Sequence, residues 1–520
     1  MRGVVAAGHP LTAEAGADVL REGGNAVDAA VAAVLASFAV ESPLTGFGAG
    51  GFMLIHDPRG QTDDGRDVLV DFFVQAPGLG GVERGAELLP VDVYFDQTPQ
   101  TFNIGPASCG VPGTAAGLAH ALRRFGTAPL EDLVKPAIEL AFNGAPLNAQ
   151  QAYIFHILSP ILTRYEEGQA LYAPAGRTLT EGESFRFADL AEALERYGAE
   201  GPEPFYAGEV GAALADRVSE LGGTLSREDM AAYEAVERRP VCAVFRGTEV
   251  LTNPPPSSGG ILIALCLALM ERLGEAGVDA TVAAMGAAQD SRGERFQEGL
   301  YEEGFAELFL DPEQLDAIAT RLRGTLPGGG ADTGDELGST THLAVLDAEG
   351  MCASVTCSNG SGSGVVVAGS GVHLNNMLGE QDLNPHGFHL TPAGRRMPSM
   401  MAPTMVMRDG EVIAGLGSAG SNRIRSAILQ TVLRLVVDGM SAADAVRAPR
   451  VHFEDGVVQA EPGIDEIALQ RLEEGGVPVS RWQRPNLFFG GVQAVARAAA
   501  DGSLEGGGDP RRGGAVVLVD

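Results

Sequence analysis

The chain has 520 residues, of which 45% are hydrophobic and 20% are charged, and its formal net charge is −32 at pH 7. This composition is typical of a globular protein of enzyme size rather than of a disordered or fibrous one. The acidic excess argues against a nucleic-acid partner, because neutralising phosphates requires a basic surface. The length permits three domains of about 150 residues, although large α/β folds often exceed that size.

Several functional classes are disfavoured by what the sequence lacks. Lys135 is the one lysine, so a Schiff-base or P-loop lysine is nearly excluded. No run of about 18 uncharged apolar residues is present, so no membrane-spanning helix and no membrane partner are predicted. The N-terminus lacks a signal-peptide pattern, which favours a location in the cytoplasm. If the N-terminus has been trimmed, the periplasm or the exterior is the alternative.

Cysteines and histidines give no metal signature. The cysteines form no C-x-x-C pair, which indicates neither a zinc knuckle nor a disulfide framework, and we expect all of them in the core. His386 and His389 have no cluster of carboxylates or cysteines at metal-binding spacing, so we interpret them as loop residues and predict no metal. The cysteines are Cys109, Cys242, Cys266, Cys352 and Cys357.

The N-terminal part reads as helices followed by a glycine-rich turn and a strand. Residues 12–40 are predicted to be helical, with Thr12 as the N-cap and a break at Gly23. The glycines of residues 46–51 spell G-x-G-x-x-G before a predicted strand at 53–56. A dinucleotide fingerprint follows a strand and opens a helix, which is the reverse order, so a Rossmann oxidoreductase is disfavoured.

The middle of the chain is predicted to be mainly helical and to end in a flexible loop. Helices are expected over residues 115–125, 130–142 and 189–197, and the Pro-rich run 253–260 leads into an apolar helix over 261–273, capped by Ser258 or a neighbour. Residues 324–339 are rich in glycine, which favours a flexible loop open to cleavage. Beyond it, residues 341–357 and 404–416 each alternate like a hairpin.

Thr340 follows the flexible loop directly. Threonine is a poor nucleophile inside a chain, because its hydroxyl is barely acidic and no base lies beside it. A cut between Ser339 and Thr340 would leave Thr340 with a free α-amino group, whose pKa of roughly 7.7 to 8.0 suits it to accept the hydroxyl proton. Thr340 is therefore a candidate N-terminal nucleophile, although an ordinary strand threonine would look the same. His342 is interpreted as a packed structural residue.

Short motifs are spread in a fixed order along nearly the whole chain. They are GGNAVDAA at 23–30, the glycine cluster at 46–51, VPGT at 111–114, PPPSSGG at 254–260, TTH at 340–342, GSG at 369–371, LNN at 374–376, PSMMAPT at 398–404 and GSAGSNRI at 417–424. In this order they resemble the motifs of the gamma-glutamyltransferase (gamma-glutamyltranspeptidase) family of N-terminal nucleophile hydrolases.

The resemblance implies an α+β fold, a four-layer αββα sandwich, and a precursor that cuts itself between Ser339 and Thr340. Residues 1–339 would form a large subunit and residues 340–520 a small catalytic subunit, intertwined in one domain. The Thr340 hydroxyl would then attack an amide and pass the acyl group to water or an amine. No cofactor is implied. The implied partners are a small-molecule amide and the two subunits of one precursor, with further oligomerisation left open.

The same resemblance assigns the catalytic side of the site. The backbone N–H groups of Gly420 and Ser421 would bind the oxyanion, at a place where the family more often has two glycines. Thr341 and Ser358 would hydrogen-bond and orient the nucleophile. The roles of these residues are carried over from the family and are expectations for this chain.

The substrate side departs from the family pattern. Phe73 stands at the position of the family's carboxylate-binding arginine, and the paired serines become Ser399 and Met400. On the amino-binding side, Asn359 and Glu380 stand near family positions. A carboxylate left unpaired in a pocket costs about 1–3 kcal/mol or more. The candidates for a replacement cation are Arg395, Arg396 and Arg425.

The leading hypothesis is a self-processing amidohydrolase or acyltransferase acting on γ-glutamyl compounds such as glutathione. Two alternatives remain open. One keeps the mechanism and changes the donor to glutaryl or other acyl amides, or to poly-γ-glutamate, which is motivated by the loss of the family's arginine at Phe73. The other is a non-catalytic relative with a binding or structural role.

Overall fold

A computed structural model of the chain describes residues 1–60, 66–95, 98–323, 340–384 and 386–520. The predicted flexible loop at 324–339, which contains Ser339, lies outside the described residues. The helices are α1 (Pro10–Arg21), α2 (Ala26–Val40), α3 (Thr114–Phe125), α4 (Leu130–Leu133), α5 (Lys135–Asn143), α6 (Ala149–Ile157), α7 (Ser159–Leu162), α8 (Glu166–Tyr172), α9 (Ala188–Glu200), α10 (Glu203–Tyr206), α11 (Glu209–Glu220), α12 (Arg227–Ala231), α13 (Ser258–Leu273), α14 (Val278–Asp290), α15 (Glu294–Gly299), α16 (Phe305–Phe309), α17 (Pro312–Leu322), α18 (Arg423–Val436), α19 (Ala442–Arg447) and α20 (Glu466–Glu474). The strands are β1 (Gly3–Ala7), β2 (Gly50–His56), β3 (Asp67–Phe72), β4 (Leu89–Phe95), β5 (Thr98–Ile104), β6 (Ala145–Pro146), β7 (Ser184–Phe185), β8 (Val236–Arg238), β9 (Val241–Phe245), β10 (Thr248–Thr252), β11 (Thr340–Asp347), β12 (Cys352–Ser358), β13 (Val366–Val367), β14 (Val372–His373), β15 (Thr404–Arg408), β16 (Glu411–Ala419), β17 (Val451–Glu454), β18 (Val457–Ala460), β19 (Val479–Arg481), β20 (Gly491–Arg497), β21 (Leu504–Gly508) and β22 (Ala515–Val519).

Two antiparallel sheets form the centre of the molecule. The first has the strand order β22-β1-β11-β12-β2-β3-β8, and the second has the order β21-β20-β16-β15-β10-β9. In the first sheet, β11, β12 and β22 come from the part of the chain after the loop, whereas the other strands come from before it. The two parts of the chain therefore share a single sheet.

Helices cover the outer face of each sheet. Helices α1 and α2 pack on the first sheet, α13 and α18 pack on the second, and β11 and β12 pack against β16 between them. Alternate side chains of a strand point to opposite faces. In β1, Val5 and Ala7 belong to the core under α1 and α2, whereas Val4 and Ala6 belong to the core between the sheets. The α+β class and the αββα order of layers are thus confirmed.

Helix α2 lies behind the centre of the first sheet and is buried along its whole length. The Asn25 side chain accepts hydrogen bonds from the N–H groups of Val27 and Asp28, and the Asp28 carboxylate accepts one from Asn25 N. This capping box satisfies the free N–H groups of the first turn. The alanine-rich helix can then approach β11 and β12 closely.

Helix α1 begins earlier than predicted, and Thr12 as its N-cap is wrong. The helix starts at Pro10 with His9 as the N-cap, whose Nδ1 accepts a hydrogen bond from Leu11 N. Proline favours the first helical position because it lacks an N–H and has a fixed φ. The Thr12 side chain is instead buried and donates to Glu41 Oε1 at 2.7 Å.

Other local predictions meet mixed outcomes. The hairpins β11-β12 and β15-β16 are confirmed. The single helix expected at 130–142 is divided into α4 and α5 at Val134, because Pro136 cannot continue the first helix without losing a hydrogen bond. The cysteines are free thiols and four are buried, but Cys242 is exposed, since β9 alternates between buried and exposed residues.

The glycine cluster at 46–51 serves backbone packing. A Cβ at Gly48 would lie 2.0 Å from the carbonyl oxygen of His373, and one at Gly51 would lie 2.4 Å from that of Thr356. Glycine is required wherever another backbone approaches so closely.

Among the helices in the described residues, none has the length and apolar character needed to cross a bilayer.

Candidate active site

Thr340 is the first residue of β11, at the middle of the first sheet. It pairs with Ser358, the last residue of β12, and its hydroxyl donates to Ser358 Oγ at 3.1 Å. Ser358 Oγ also accepts a hydrogen bond from Gly360 N at 2.9 Å. The hydroxyl of Thr340 is thus held by a second hydroxyl whose own position is fixed by the backbone.

A small pocket of about 40 Å³ opens onto Thr340. It collects residues from six separated segments of the chain. They are Phe73, Thr340, Ser358, Gly360, Met377, Glu380, Asp382, Leu383, Ser399, Met400, Met401, Ser421 and Ile424. The structure therefore brings together Thr340, Ser358, Ser421 and the four predicted substrate-side residues other than Asn359.

The pocket is acidic and otherwise largely apolar. Glu380 and Asp382 are its charged lining residues, and none of the described residues that line it is basic. Phe73 is buried and stacks on Phe52 with ring centroids 5.3 Å apart. The pocket therefore offers negative groups for an ammonium and no cation for a carboxylate.

Two predicted site residues point elsewhere. Thr341 faces away from the pocket, because neighbouring side chains of a strand alternate, and its hydroxyl donates to Glu41 Oε2 at 2.7 Å. Asn359 is fully buried and is absent from the pocket lining, where Gly360 takes its place. Their predicted roles, like those of the other site residues, stay predictions.

The predicted oxyanion residues form the turn between β16 and α18. Gly420 has a φ of +127° and Ser421 a φ of +48°, a left-handed conformation that is unusual for a residue with a Cβ. The Ser421 hydroxyl donates to Asp382 Oδ2 at 3.0 Å, and Asn422 Nδ2 donates to Asp382 Oδ1 at 3.1 Å. The turn also precedes the N-terminus of α18, where the helix dipole favours negative charge.

Asp382 was missed by the sequence reasoning. It lies two residues after Glu380, lines the same pocket and is hydrogen-bonded to the oxyanion turn. A second acidic residue so close to the predicted Glu380 is the sequence signal that points to Asp382. Asp382 therefore connects the pocket to the turn at Gly420 and Ser421.

Buried charges support the turn from behind. Asn422 Nδ2 donates to Glu454 Oε1 at 2.8 Å, and Arg423 lies 3.5 Å from Glu454 Oε2. Burial would raise the pKa of Glu454, but the charges and hydrogen bonds of His452, Arg423 and Arg425 outweigh it and lower the pKa to about 2. Glu454 is therefore ionised at neutral pH and anchors Asn422.

The three candidate arginines lie outside the pocket. Arg396 is buried, 3.2 Å from Asp71 Oδ1, and donates to the carbonyl oxygen of Phe73 at 2.7 Å. Arg425 donates to Gln289 Oε1 at 3.2 Å. Arg395 lies on the Tyr301 ring, in a groove of about 420 Å³ that shares Leu383 with the pocket. The carboxylate-binding cation of the family thus has no counterpart in the lining of this pocket.

His342 is a packed residue, as interpreted from the sequence. Its Nδ1 lies 2.8 Å from Thr356 Oγ1, and its ring fills the space that a Cβ at Gly417 would need. Burial lowers the pKa of His342 from 6.5 to about 3, so the ring is neutral at pH 7.

Within the described residues, no group of three His, Cys, Asp or Glu side chains could hold a metal.

Known proteins resemble this chain over nearly its whole length. The sequence profile of the Gamma-glutamyltranspeptidase family matches residues 12–519. The chain is 31% identical to the glutathione hydrolase proenzyme of Escherichia coli (strain K12), over 98% of this chain and 90% of that protein. It is 33% identical to the Acylase ACY 1 proenzyme of Pseudomonas sp. (strain V22), over 100% and 94%. The cephalosporin acylase from Bacillus halodurans has a similar structure, with a TM-score of 0.81, 26% identity and coverage of 99% of this chain and 95% of that chain.

Two substitutions at Ser421 test whether its backbone, and not its hydroxyl, serves the reaction. Ser421→Gly removes both the hydrogen bond to Asp382 and the left-handed strain, whereas Ser421→Ala removes only the hydrogen bond. We expect the glycine variant to be more stable than the alanine variant by about 1 kcal/mol in urea unfolding, the cost of a left-handed Cβ. Both should keep amide turnover within about tenfold of the wild type. A loss of about 10²-fold in both would instead make the hydroxyl the oxyanion donor.

His342 predicts a measurable dependence of stability on pH. Its pKa is lowered in the folded state, so the unfolded chain binds more protons between pH 6.5 and about 3. The free energy of unfolding should therefore fall as the pH drops below 6.5, by about 1.4 kcal/mol per pH unit from this group. The free energy of unfolding, measured with denaturant and plotted against pH, should fall more steeply for the wild type than for His342→Gln by this amount. Parallel plots would contradict the prediction.

Proposed function

The chain belongs to the gamma-glutamyltranspeptidase family, and on that premise we propose that it is a self-processing N-terminal threonine enzyme cleaving γ-glutamyl amide bonds, as in glutathione. The acyl group passes through an acyl-enzyme to water or to an amine. The observation that supports this proposal most directly is that the Thr340 hydroxyl is hydrogen-bonded to Ser358 and faces a pocket that Ser421 also lines. The relatives named as a glutathione hydrolase and an acylase support the same reaction class.

Maturation is a cut between Ser339 and Thr340. The Thr340 Oγ attacks the carbonyl carbon of Ser339, the C–N bond breaks, and the nitrogen takes up the proton lost by the hydroxyl and becomes the α-amine of Thr340. Water then hydrolyses the ester and releases the carboxylate of Ser339. The term proenzyme in the relatives' names supports this step. The pieces 1–339 and 340–520 stay together, because β11 is hydrogen-bonded to β1 in the first sheet.

Catalysis then uses the same hydroxyl. The free α-amine of Thr340 accepts the hydroxyl proton as Oγ attacks the substrate carbonyl, and it later returns that proton to the departing amine. The N–H groups of Gly420 and Ser421 stabilise the negative oxygen of the tetrahedral intermediate, which is usually the largest electrostatic contribution. Ser358 holds the hydroxyl in position between these events. Water or an amine finally attacks the acyl ester and frees Thr340.

The charges of the pocket favour the α-ammonium of a γ-glutamyl group over its α-carboxylate. Glu380 and Asp382 are suited to bind the α-ammonium, and the described lining residues include no basic side chain for the α-carboxylate. This supports a second candidate function, in which the same mechanism acts on acyl amides that lack the carboxylate. The groove of about 420 Å³ beside the pocket provides room for the remainder of the substrate.

Denaturing mass spectrometry tests the proposed maturation. The wild type should give two fragments, of which the smaller begins with Thr340. Thr340→Ala should stay intact and inactive because it has no hydroxyl, and the matched control Thr340→Ser should still be cut. A wild-type chain that stays uncut after long incubation would refute the mechanism.

Four anilide donors test the acyl group: γ-glutamyl, glutaryl without the amine, 4-aminobutanoyl without the carboxylate, and butanoyl without either. A charged hydrogen bond contributes about 1.5–3 kcal/mol, so γ-glutamyl should exceed glutaryl at least about tenfold in kcat/KM. Faster glutaryl turnover would contradict this choice of donor. If 4-aminobutanoyl or butanoyl exceeds γ-glutamyl, the second candidate function is the correct one.

A further inference from the structure

Glu41 is a buried carboxylate directly behind the nucleophile strand. It follows α2, is 1% exposed, and accepts hydrogen bonds from Thr12 at Oε1 and from Thr341 at Oε2, both at 2.7 Å. In the described parts of the chain it forms no ion pair with a basic side chain. Burial raises the pKa of Glu41, and the hydrogen bonds from Thr341 and Thr12 oppose that rise. A carboxyl group placed here without a cation is costly, which points to a use.

The fold leaves space for this group. A Cβ at Gly8 would lie 2.7 Å from Glu41 Oε2 and 3.1 Å from Thr341 Oγ1. A side chain at this position would push the carboxyl away from the threonine. The glycine after β1 and the residue after α2 thus both serve one contact with β11, the hydrogen bond from Thr341 to Glu41.

That contact fixes the beginning of β11 from the side opposite the pocket. The Thr340 hydroxyl is hydrogen-bonded to Ser358 on the pocket face of the strand, whereas the Thr341 hydroxyl is hydrogen-bonded to Glu41 on the helix face. Chain ends are poorly ordered unless they are tied down. After the proposed cut, Thr340 is such an end, and its reacting amine is part of the backbone that Thr341 holds.

We propose that Glu41 is a positioning residue for Thr340, which acts through Thr341 to keep the new N-terminus in register once the chain is cut. This inference rests on the proposed function. Glu41 touches neither the substrate nor the reacting atoms. Its contribution is the placement of the amine and hydroxyl of Thr340 relative to the oxyanion turn, where a displacement of about 1 Å can cost up to about 10²-fold in rate.

The two hydroxyls on Glu41 supply a matched pair of variants. Thr341→Val and Thr12→Val each remove one hydrogen bond from the same buried carboxyl, and valine closely matches threonine in shape. We expect similar decreases in the thermal unfolding midpoint for the two. Thr341→Val should lower kcat by about 10- to 100-fold with KM within about twofold, whereas Thr12→Val should keep kcat within about twofold.

Glu41→Asp provides an independent measurement should Thr341→Val fail to fold. Its side chain is one methylene shorter, which keeps the acid but withdraws the carboxyl from Thr341, so kcat should again fall at nearly constant KM. Equal kcat values for Thr341→Val and Thr12→Val, or an unchanged kcat in Glu41→Asp, would overturn the inference while leaving the proposed function intact. A wild type that is neither cut nor active would refute both.

Discussion

The pairing of β11 between β1 and β12 is the constraint on which the remaining structure depends. It inserts a strand from the second part of the chain into a sheet built largely from the first, and it fixes Thr340 opposite Ser358. Side chains alternate along a strand, so a slip of one residue would turn Thr341 into the pocket and Thr340 against α2. The register thus decides which threonine faces the pocket.

Two buried glutamates, Glu41 and Glu454, show how the surroundings of a carboxyl group determine its pKa. Glu454 lies among His452, Arg423 and Arg425, which lower its pKa to about 2, and it anchors the oxyanion turn through Asn422. Glu41 has only hydroxyl partners among the residues described, and its pKa is raised by burial. One acid therefore acts as a fixed negative charge, and the other as a hydrogen-bonding bridge between chain segments.

The sequence allowed the reaction and the fold to be predicted far better than the surroundings of the site. Alternation over 341–357 located the hairpin that carries Thr340, and the family resemblance based on the ordered motifs implied the αββα layers. Local patterns could not reveal that Thr12 faces Glu41, or that Arg396 is occupied by Asp71, since those contacts join segments far apart in the chain. The choice among the three arginines depended on such partners, and so did the place of Asp382 beside Ser421.

The interleaving of strands in the first sheet has a consequence for the life of the protein after it is cut. While the chain is continuous, β11 finds its place between β1 and β12 as part of one molecule. If the chain is cut at the proposed bond before Thr340, recovery from unfolding requires two separate polypeptides to meet, and it becomes slower as the solution is diluted. Under the proposed cleavage, folding would have to come first, and the lifetime of the cut protein would be governed by how slowly it unfolds.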